Sequence, residues 1–366
     1  MPLDTFHDCF GDLVDPRADN ARHELVEIVF IALLATLCGA TSCSDMEEFG
    51  LAKEPLLRTI LTLEHGIPSH DTFSRVFRLL DPAAFEVAFG RFMQTFGASA
   101  KLGKTKGVVA VDGKSLRRAY EVGQSHMPRM MVSLWGAQTR MTLASVLAAD
   151  NNETQGALDA LALVALKGCI VTADALHCHA DMAKAIIDKG ADYVLAVKAN
   201  QSGLLADTKA AIAMLPAHTE PATTRDARHG RSESRDALVT SVKTMAQKHG
   251  FPGLVAVARI TSRRDQDEPV ERFFLLSRAY KAETLLAIRR EHWGIENTLH
   301  WTLDVVLDED LARNRKDNGP ANLAVIRRLA LNIARAHPDK KTSLRRKLLR
   351  AGWDDAFLFD LIRHMR

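Results

Sequence analysis

A mixed α/β fold preceded by an all-helical section is predicted, on three observations. Hydrophobic residues before Ala98 recur at helical spacing, whereas from Gly107 short apolar runs alternate with helix-length stretches. The order of those stretches is strand, strand, strand, helix, strand, helix, strand, which puts helices on the faces of a central sheet. A further group of strand-like runs comes after a helix and looks inserted before one last long helix. At ~150 residues per domain, 366 residues make two or three units: a helical section 1–98, an α/β section 99–336 with a β-rich insertion at about 216–281, and a basic tail 337–366.

The helical section opens with a leader ending at Asp15-Pro16, then a long apolar helix from Glu24 to Cys38. Pro55 suits the first turn of another helix. Gly66-Ile67-Pro68-Ser69 breaks the chain, and Ser69 or Asp71 can cap the helix after it. Phe73, Val76, Phe77 and Leu80 then form one helical face, with Ser74, Arg75 and Arg78 on the others. Helix, glycine-containing turn and capped helix fit either a helix-turn-helix or a plain helical hairpin with solvated arginines.

In the second section Gly107 to Asp112, Met130 to Trp135, Met141 to Leu147, Cys169 to Asp174 and Asp192 to Val197 read as strands. Thr154 to Lys167 and His179 to Lys189 read as helices, the latter with Gly190 as C-cap. A helix from Leu204 to Leu215 leads into polar, Arg-rich sequence from Thr223 to Asp236. Strands return at 238–242, 254–260 and 270–277, before a helix from Ala282 to Val306 and another from Asn322 to Ala336.

Charge is unevenly divided. The chain as a whole carries +3, but up to Ala98 seven Lys or Arg face fifteen Asp or Glu, a net of −8 that leaves +11 for the rest. A basic body points to a polyanion partner. The tail adds Lys340, Lys341, Arg345, Arg346, Lys347 and Arg350, expected to meet phosphates. Five cysteines, none in a C-x-x-C pair, fit a reducing cytoplasm and no structural zinc. No signal peptide is expected, and the apolar run from Ile28 to Ala40 falls short of the ~20 residues that span a bilayer. No Walker loop, G-x-G-x-x-G or G-x-S-x-G is present, against nucleotide-triphosphatase, dinucleotide oxidoreductase and lipase-type chemistry.

The chemistry lies in carboxylates. Two apolar strands end in aspartate, at Val-Ala-Val-Asp112 and Val-Thr-Ala-Asp174. Ionised aspartates at the ends of core strands need a counter-charge, and a divalent cation supplies one. A third carboxylate, Glu296, shares a polar helical face with Arg289, His292 and His300. Lys114, Arg117 and Arg118 after Asp112, and Lys198 after the fifth strand, are candidates to hold phosphates. The acidic stretch Asp304, Asp308, Glu309 and Asp310 reads as solvated surface, and His177-Cys178-His179 as too divergent to share one ion.

Val-Ala-Val-Asp112-Gly-Lys-Ser-Leu-Arg, Thr-Ala-Asp174-Ala-Leu-His and His-Trp-Gly-Ile-Glu296-Asn-Thr-Leu-His-Trp together resemble the bacterial insertion-sequence DDE transposases, most closely the H-repeat-associated type. The resemblance runs over nearly the whole chain and includes Gly-Ile-Pro-Ser-His-Asp-Thr-Phe-Ser-Arg in the helical section. It implies a ribonuclease-H-like core with a β-rich insertion between the second and third carboxylates. It implies catalytic Asp112, Asp174 and Glu296 binding Mg²⁺, with Mn²⁺ able to substitute. It also implies double-stranded DNA partners (terminal inverted repeats and target DNA), a homodimer or larger assembly on DNA, and a nucleoid-associated cytoplasmic protein. One departure is visible. Related transposases carry tyrosine, arginine and lysine around the glutamate, where this chain has Arg289, His292 and Leu303. Phosphate contacts are therefore expected from Arg289, His292 or His300. Relatives that cut through a DNA hairpin use a tryptophan in the insertion, and 201–281 contains none, which argues against that route. The rival readings are a structure-specific nuclease on the same core and a domesticated DNA-binding protein that does not cut. The carboxylate triad speaks against the last.

Overall fold

The computed structural model describes residues 2–18, 21–99, 107–117, 129–228, 231–265 and 267–363. The helical section holds α1 (Pro2–Phe10), α2 (Leu25–Leu37), α3 (Cys43–Ala52), α4 (Glu54–Leu57), α5 (His70–Leu79) and α6 (Pro82–Ser99). Ser69 caps α5 by accepting from the Thr72 amide, and Phe73, Val76 and Phe77 are the face it buries. α2 is apolar all round because it is enclosed, with eleven of its thirteen residues buried.

The strands are β1 (Val108–Leu116), β2 (Arg129–Gly136), β3 (Met141–Leu147), β4 (Ile170–Ala173), β5 (Asp192–Val197), β6 (Ala222–Arg228), β7 (Arg231–Ser241), β8 (Ala256–Arg264) and β9 (Val270–Leu276). They form one sheet in the order β3-β2-β1-β4-β5-β9-β8-β7-β6. β1, β2 and β3 are an antiparallel meander, and β1, β4 and β5 run parallel. α7 (Glu153–Ala162) and α8 (Ala180–Asp188) make the crossovers, and α9 (Ser202–Ala213) comes after β5. The strands between 222 and 276, with the short α10 (Met245–Lys248), continue the same sheet through β9 against β5.

Two strand expectations are corrected. The polar, Arg-rich stretch from Thr223 is the β6–β7 hairpin, with Thr223 opposite Asp236 and Arg225 opposite Ser234. Charged side chains are common on a sheet's outer strands, where they discourage further pairing. β1 also does not end at Asp112. It stays paired with β2 as far as Leu116↔Arg129, while its pairing with β4 stops at Val111↔Ala173.

The chain closes with α11 (Ala282–His292), a π-helical turn Ile295–His300, α12 (Trp301–Val305), α13 (Gly319–Ala336), α14 (Leu344–Trp353) and α15 (Asp355–Arg363). β1 divides its side chains by alternation: Val109 and Val111 pack with residues of α7 and α8, while Ala110 and Leu116 join the cluster that holds α2 and α13. That second cluster runs from Phe6 through Phe30, Phe85 and Leu329 to Ile362, so the N-terminal helices, one sheet face and the last three helices share a core. The basic tail is therefore folded: Lys347 is buried and donates to the carbonyls of Ala334 and His337, rather than being free to meet phosphates as expected. Asn332 of α13 covers the free side of β3 by pairing with both the N–H and the C=O of Thr142.

Glu86 of α6 is 5 % exposed and accepts from the Leu147 amide. Burial pushes its carboxyl up to about 8. A folded-state pKa above the unfolded value means stability is full below the unfolded pKa and is lost as pH rises toward 8, by roughly 1.4 kcal/mol per pH unit in that window. Glu86→Gln keeps the acceptor and removes the charge. It is expected to leave urea stability unchanged near pH 4 and to raise it near pH 8; equal effects at both would refute a buried, protonated Glu86.

Candidate active site

Asp112 and Asp174 each come directly after the last paired residues of adjacent parallel strands, Val111↔Ala173, so two carboxylates stand side by side at one sheet edge. Alternation puts them on the faces of Ala110 and Thr172, the side covered by α11 and the π-turn. Asp112 accepts from the Gly113 amide, and His300 Nδ1 lies 3.6 Å from its Oδ2. Burial, then the charges of Asp174, Glu296 and Glu153, push Asp112 up to about 7.

Asp174 goes the other way. The neighbouring His292, with Arg289 and Lys198 adding their charges, holds its carboxyl down at about 2 against the effect of burial. His292 is buried and shares a 2.8 Å hydrogen bond between Nδ1 and Thr172 Oγ1. Its Nε2 is 3.7 Å from Asp174 Oδ1, beyond hydrogen-bond range. Burial pushes His292 below its ordinary value, with Asp174 opposing. His300 is likewise pushed down, to about 4, by burial and by the charges of Arg328 and Lys114.

Glu296 is exposed, within the π-turn. The long helix expected from 282 to 306 is thus interrupted where its catalytic candidate sits; π-turns are frequent at functional sites. The turn lies tight on the sheet: a Cβ on Gly294 would be 2.3 Å from Cη2 of the buried Trp135 ring. Gly294→Ala is expected to lift the turn off β2, at a cost of about 1–3 kcal/mol in urea unfolding. Unchanged stability would show that the contact yields freely.

The basic candidates separate. Lys198 is exposed at the end of β5, and its charge reaches Asp174. Arg289 lies with its guanidinium 4.9 Å from the Phe274 ring centroid. Burial pushes it down to about 10, with Asp174 and Glu296 opposing. Arg117 is exposed and 3.2 Å from Asp310. Arg118 lies outside the described residues. Lys114 departs from expectation: its ammonium is 8 % exposed and lies 2.8 Å from Asp304, 2.8 Å from Asp310 and 3.5 Å from Glu309, so it is engaged by carboxylates and not free for a phosphate. His292 is enclosed against Thr172, with Nε2 3.7 Å from Asp174 Oδ1. The acidic stretch after α12 is corrected with it, since Glu309 is buried and bonded to the equally buried Arg328 at 2.8 Å.

Sequence reasoning missed Glu153, which opens α7, acts electrostatically on Asp112 and lies 3.2 Å from the buried His177 Nε2. Its only signal was an acidic residue at a helix start. A Cβ on Gly113 would be 2.5 Å from the Glu153 carboxyl carbon, so the strand carrying Asp112 passes close against it.

Among the described residues no three His, Cys, Asp or Glu side chains are grouped closely enough to form a ready-made metal cage. The donor chemistry nonetheless suits a hard divalent cation: Asp112 is raised by burial and then by the charges of Asp174, Glu296 and Glu153, a repulsion that an ion would relieve. Mg²⁺ takes one or two protein carboxylates and completes its shell with water and phosphate oxygens, so a finished cage is not required.

The chain matches two family descriptions: a DDE_Tnp_1-associated region over residues 7–93 and a Transposase DDE domain over residues 103–333. It is 31% identical over 357 residues to the Escherichia coli K12 protein named "H repeat-associated putative transposase YhhI", covering 94% of this chain and 93% of that one. It is 37% identical over 266 residues to the Xanthobacter autotrophicus "Uncharacterized protein in dhlA 3'region", covering 70% of this chain and 88% of that one. Among solved structures, a piggyBac transposase synaptic complex with hairpin DNA aligns with 99% of this chain and 81% of its own at a TM-score of 0.44 and 12% identity.

Proposed function

The chain belongs to the DDE transposases of the H-repeat-associated type, and on that premise we propose that it binds the terminal repeats of a DNA element, cleaves phosphodiester bonds there and joins the freed 3′-OH ends to target DNA. The observation that carries the reading is the placement of Asp112 and Asp174 at the ends of paired parallel segments, with Glu296 close enough to raise Asp112 electrostatically. We read the order β3-β2-β1-β4-β5 with its crossover helices as a ribonuclease-H-like core, residues 99–336, and the strands from 222 to 276 as its insertion. Residues 1–98 are read as the associated helical domain.

Asp112, Asp174 and Glu296 would hold divalent cations, Mg²⁺ by preference and Mn²⁺ as a substitute. When bound, such ions activate the attacking oxygen and neutralise the leaving one. The chain's own groups prepare the site. His292, fixed by Thr172, favours the ionised form of Asp174; Lys198 at the open edge meets a phosphate; and Arg289 sets a positive charge behind the carboxylates. Assembly as a homodimer or larger on DNA is part of the same reading, since two ends are joined.

The test is incubation of the purified chain with the DNA flanking its own gene, with and without Mg²⁺ or Mn²⁺, and then mapping of strand ends. Metal-dependent 3′-OH ends at the element boundary, and their transfer to a second duplex, are expected. Cleavage without transfer would favour a structure-specific nuclease, and tight binding without cleavage in either metal a non-cutting DNA-binding protein.

A further inference from the structure

Away from the carboxylates, a groove of 610 Å³ opens between α5 and the segment leading into α13. Its lining is cationic: Arg78 from α5, and Arg313, Arg315 and Lys316 from the segment. Among the described residues only Arg78 of these four enters an ion pair, with Asp317 at 2.7 Å. The Arg315 Nε is enclosed yet has no hydrogen-bond partner there.

The groove is built firmly. Asn322 donates to the carbonyls of Phe77 and Leu80, Asn318 donates its side-chain amide to Leu80, and the Asn318 backbone amide donates to Arg78. The end of α5 is thus tied to the start of α13, with the Arg78 stem lying beside Gly319 in the first turn of α13. The backbone that carries these cations is fixed before an anion arrives.

Its position relative to the carboxylates can be traced along β1. Leu116 and Asn314 line one small cavity, and Asn314 also lines the groove. Leu116 is four residues beyond Asp112, about 14 Å along a strand. The groove therefore begins on the order of 14–20 Å from Asp112, a span of about 4–6 base pairs at 3.4 Å per phosphate along one strand.

We infer that this groove is a binding site for the phosphodiester backbone of duplex DNA, gripping the element end about 4–6 base pairs from the bond that is cut. The inference rests on the transposase reading and adds to it a contact that lies outside the catalytic edge. It also gives Arg78 a role different from base reading: with its neighbours it positions the duplex and carries no sequence preference of its own.

Arg313 and Lys316 are exposed, so Arg313→Ala with Lys316→Ala leaves packing intact. The full chain is titrated with a duplex of its own element end and a random duplex of equal length, over a range of salt. Loss of two phosphate contacts is expected to flatten the slope of log K against log salt by about 1.8 for both duplexes. Phosphate-ethylation interference on the wild-type complex is expected at about 4–6 base pairs from the cleaved bond and absent with the variant. A wild-type chain that binds while the variant keeps both slope and interference pattern overturns the groove alone. A wild-type chain that binds neither duplex overturns the groove together with the transposase reading.

Discussion

Asp112→Asn, Asp174→Asn and Glu296→Gln are each expected to reduce strand cleavage on the order of 10³-fold or more while DNA affinity stays within about twofold. The substitutions are near-isosteric, so the fold is not asked to change. Asp112→Asn should even stabilise the metal-free chain above neutral pH, since burial and the charges of Asp174, Glu296 and Glu153 hold that carboxyl up at about 7 and its ionisation there works against folding. Stability without activity separates a functional carboxylate from a structural one. If the three act as one unit, the double and triple variants are no worse than the singles. Independent, multiplying losses would mean that they do not share an ion, and metal-dependent cutting by the triple variant would remove the assignment altogether.

The placement of Asp112 and Asp174 near one another was legible in the order of the strands that carry them, each apolar run leading into an aspartate. The helical front section was legible from the same kind of pattern: Phe73, Val76 and Phe77 are buried on the face their spacing defines. The features that stayed hidden depend on partners far away in the chain. Thr223 to Asp236 has no apolar alternation, yet it pairs as a hairpin on the outer side of the sheet. β1 runs on past Asp112 because β2, thirteen residues beyond Leu116 at its start, continues to pair with it. The π-turn at Ile295–His300 leaves no mark on an i, i+3, i+4 pattern. Lys114 was read as a phosphate contact and Glu309 as solvated surface, since a sequence shows a charge but not the opposite charge that permits its burial.

Glu309→Ala is expected to cost about 3–5 kcal/mol in chemical unfolding and to take most of the cleavage activity with it. Glu309 is 1 % exposed, 2.8 Å from Arg328 Nη1 and 3.5 Å from Lys114 Nζ. Burial alone would raise its carboxyl; Arg328, Lys114 and Arg327 outweigh that and hold it below the ordinary value. A depressed folded-state pKa means the stabilisation is present above the unfolded pKa and is lost as pH falls through the folded one, so wild type should weaken in acid by this route and the variant should not. The activity loss comes from where the charged groups sit. Lys114 is two residues beyond Asp112 on β1, and Glu309 lies just past the helix that continues from Glu296 and His300. Their contact, with Lys114 also 2.8 Å from both Asp304 and Asp310, clasps the strand of the first carboxylate to the segment behind the third. Deleting Glu309 leaves Arg328, with no exposed surface, without its carboxylate. The paired replacement Glu309→Leu with Arg328→Met tests whether the cost is the stranded charge or the lost clasp, because an apolar pair of similar size is often neutral for stability. Recovery of stability without recovery of cleavage is the expected result and identifies the clasp as a positioning device. Recovery of both would show that the charged pair merely fills space, and a single-variant cost below about 1 kcal/mol would show that the buried pair is solvated after all.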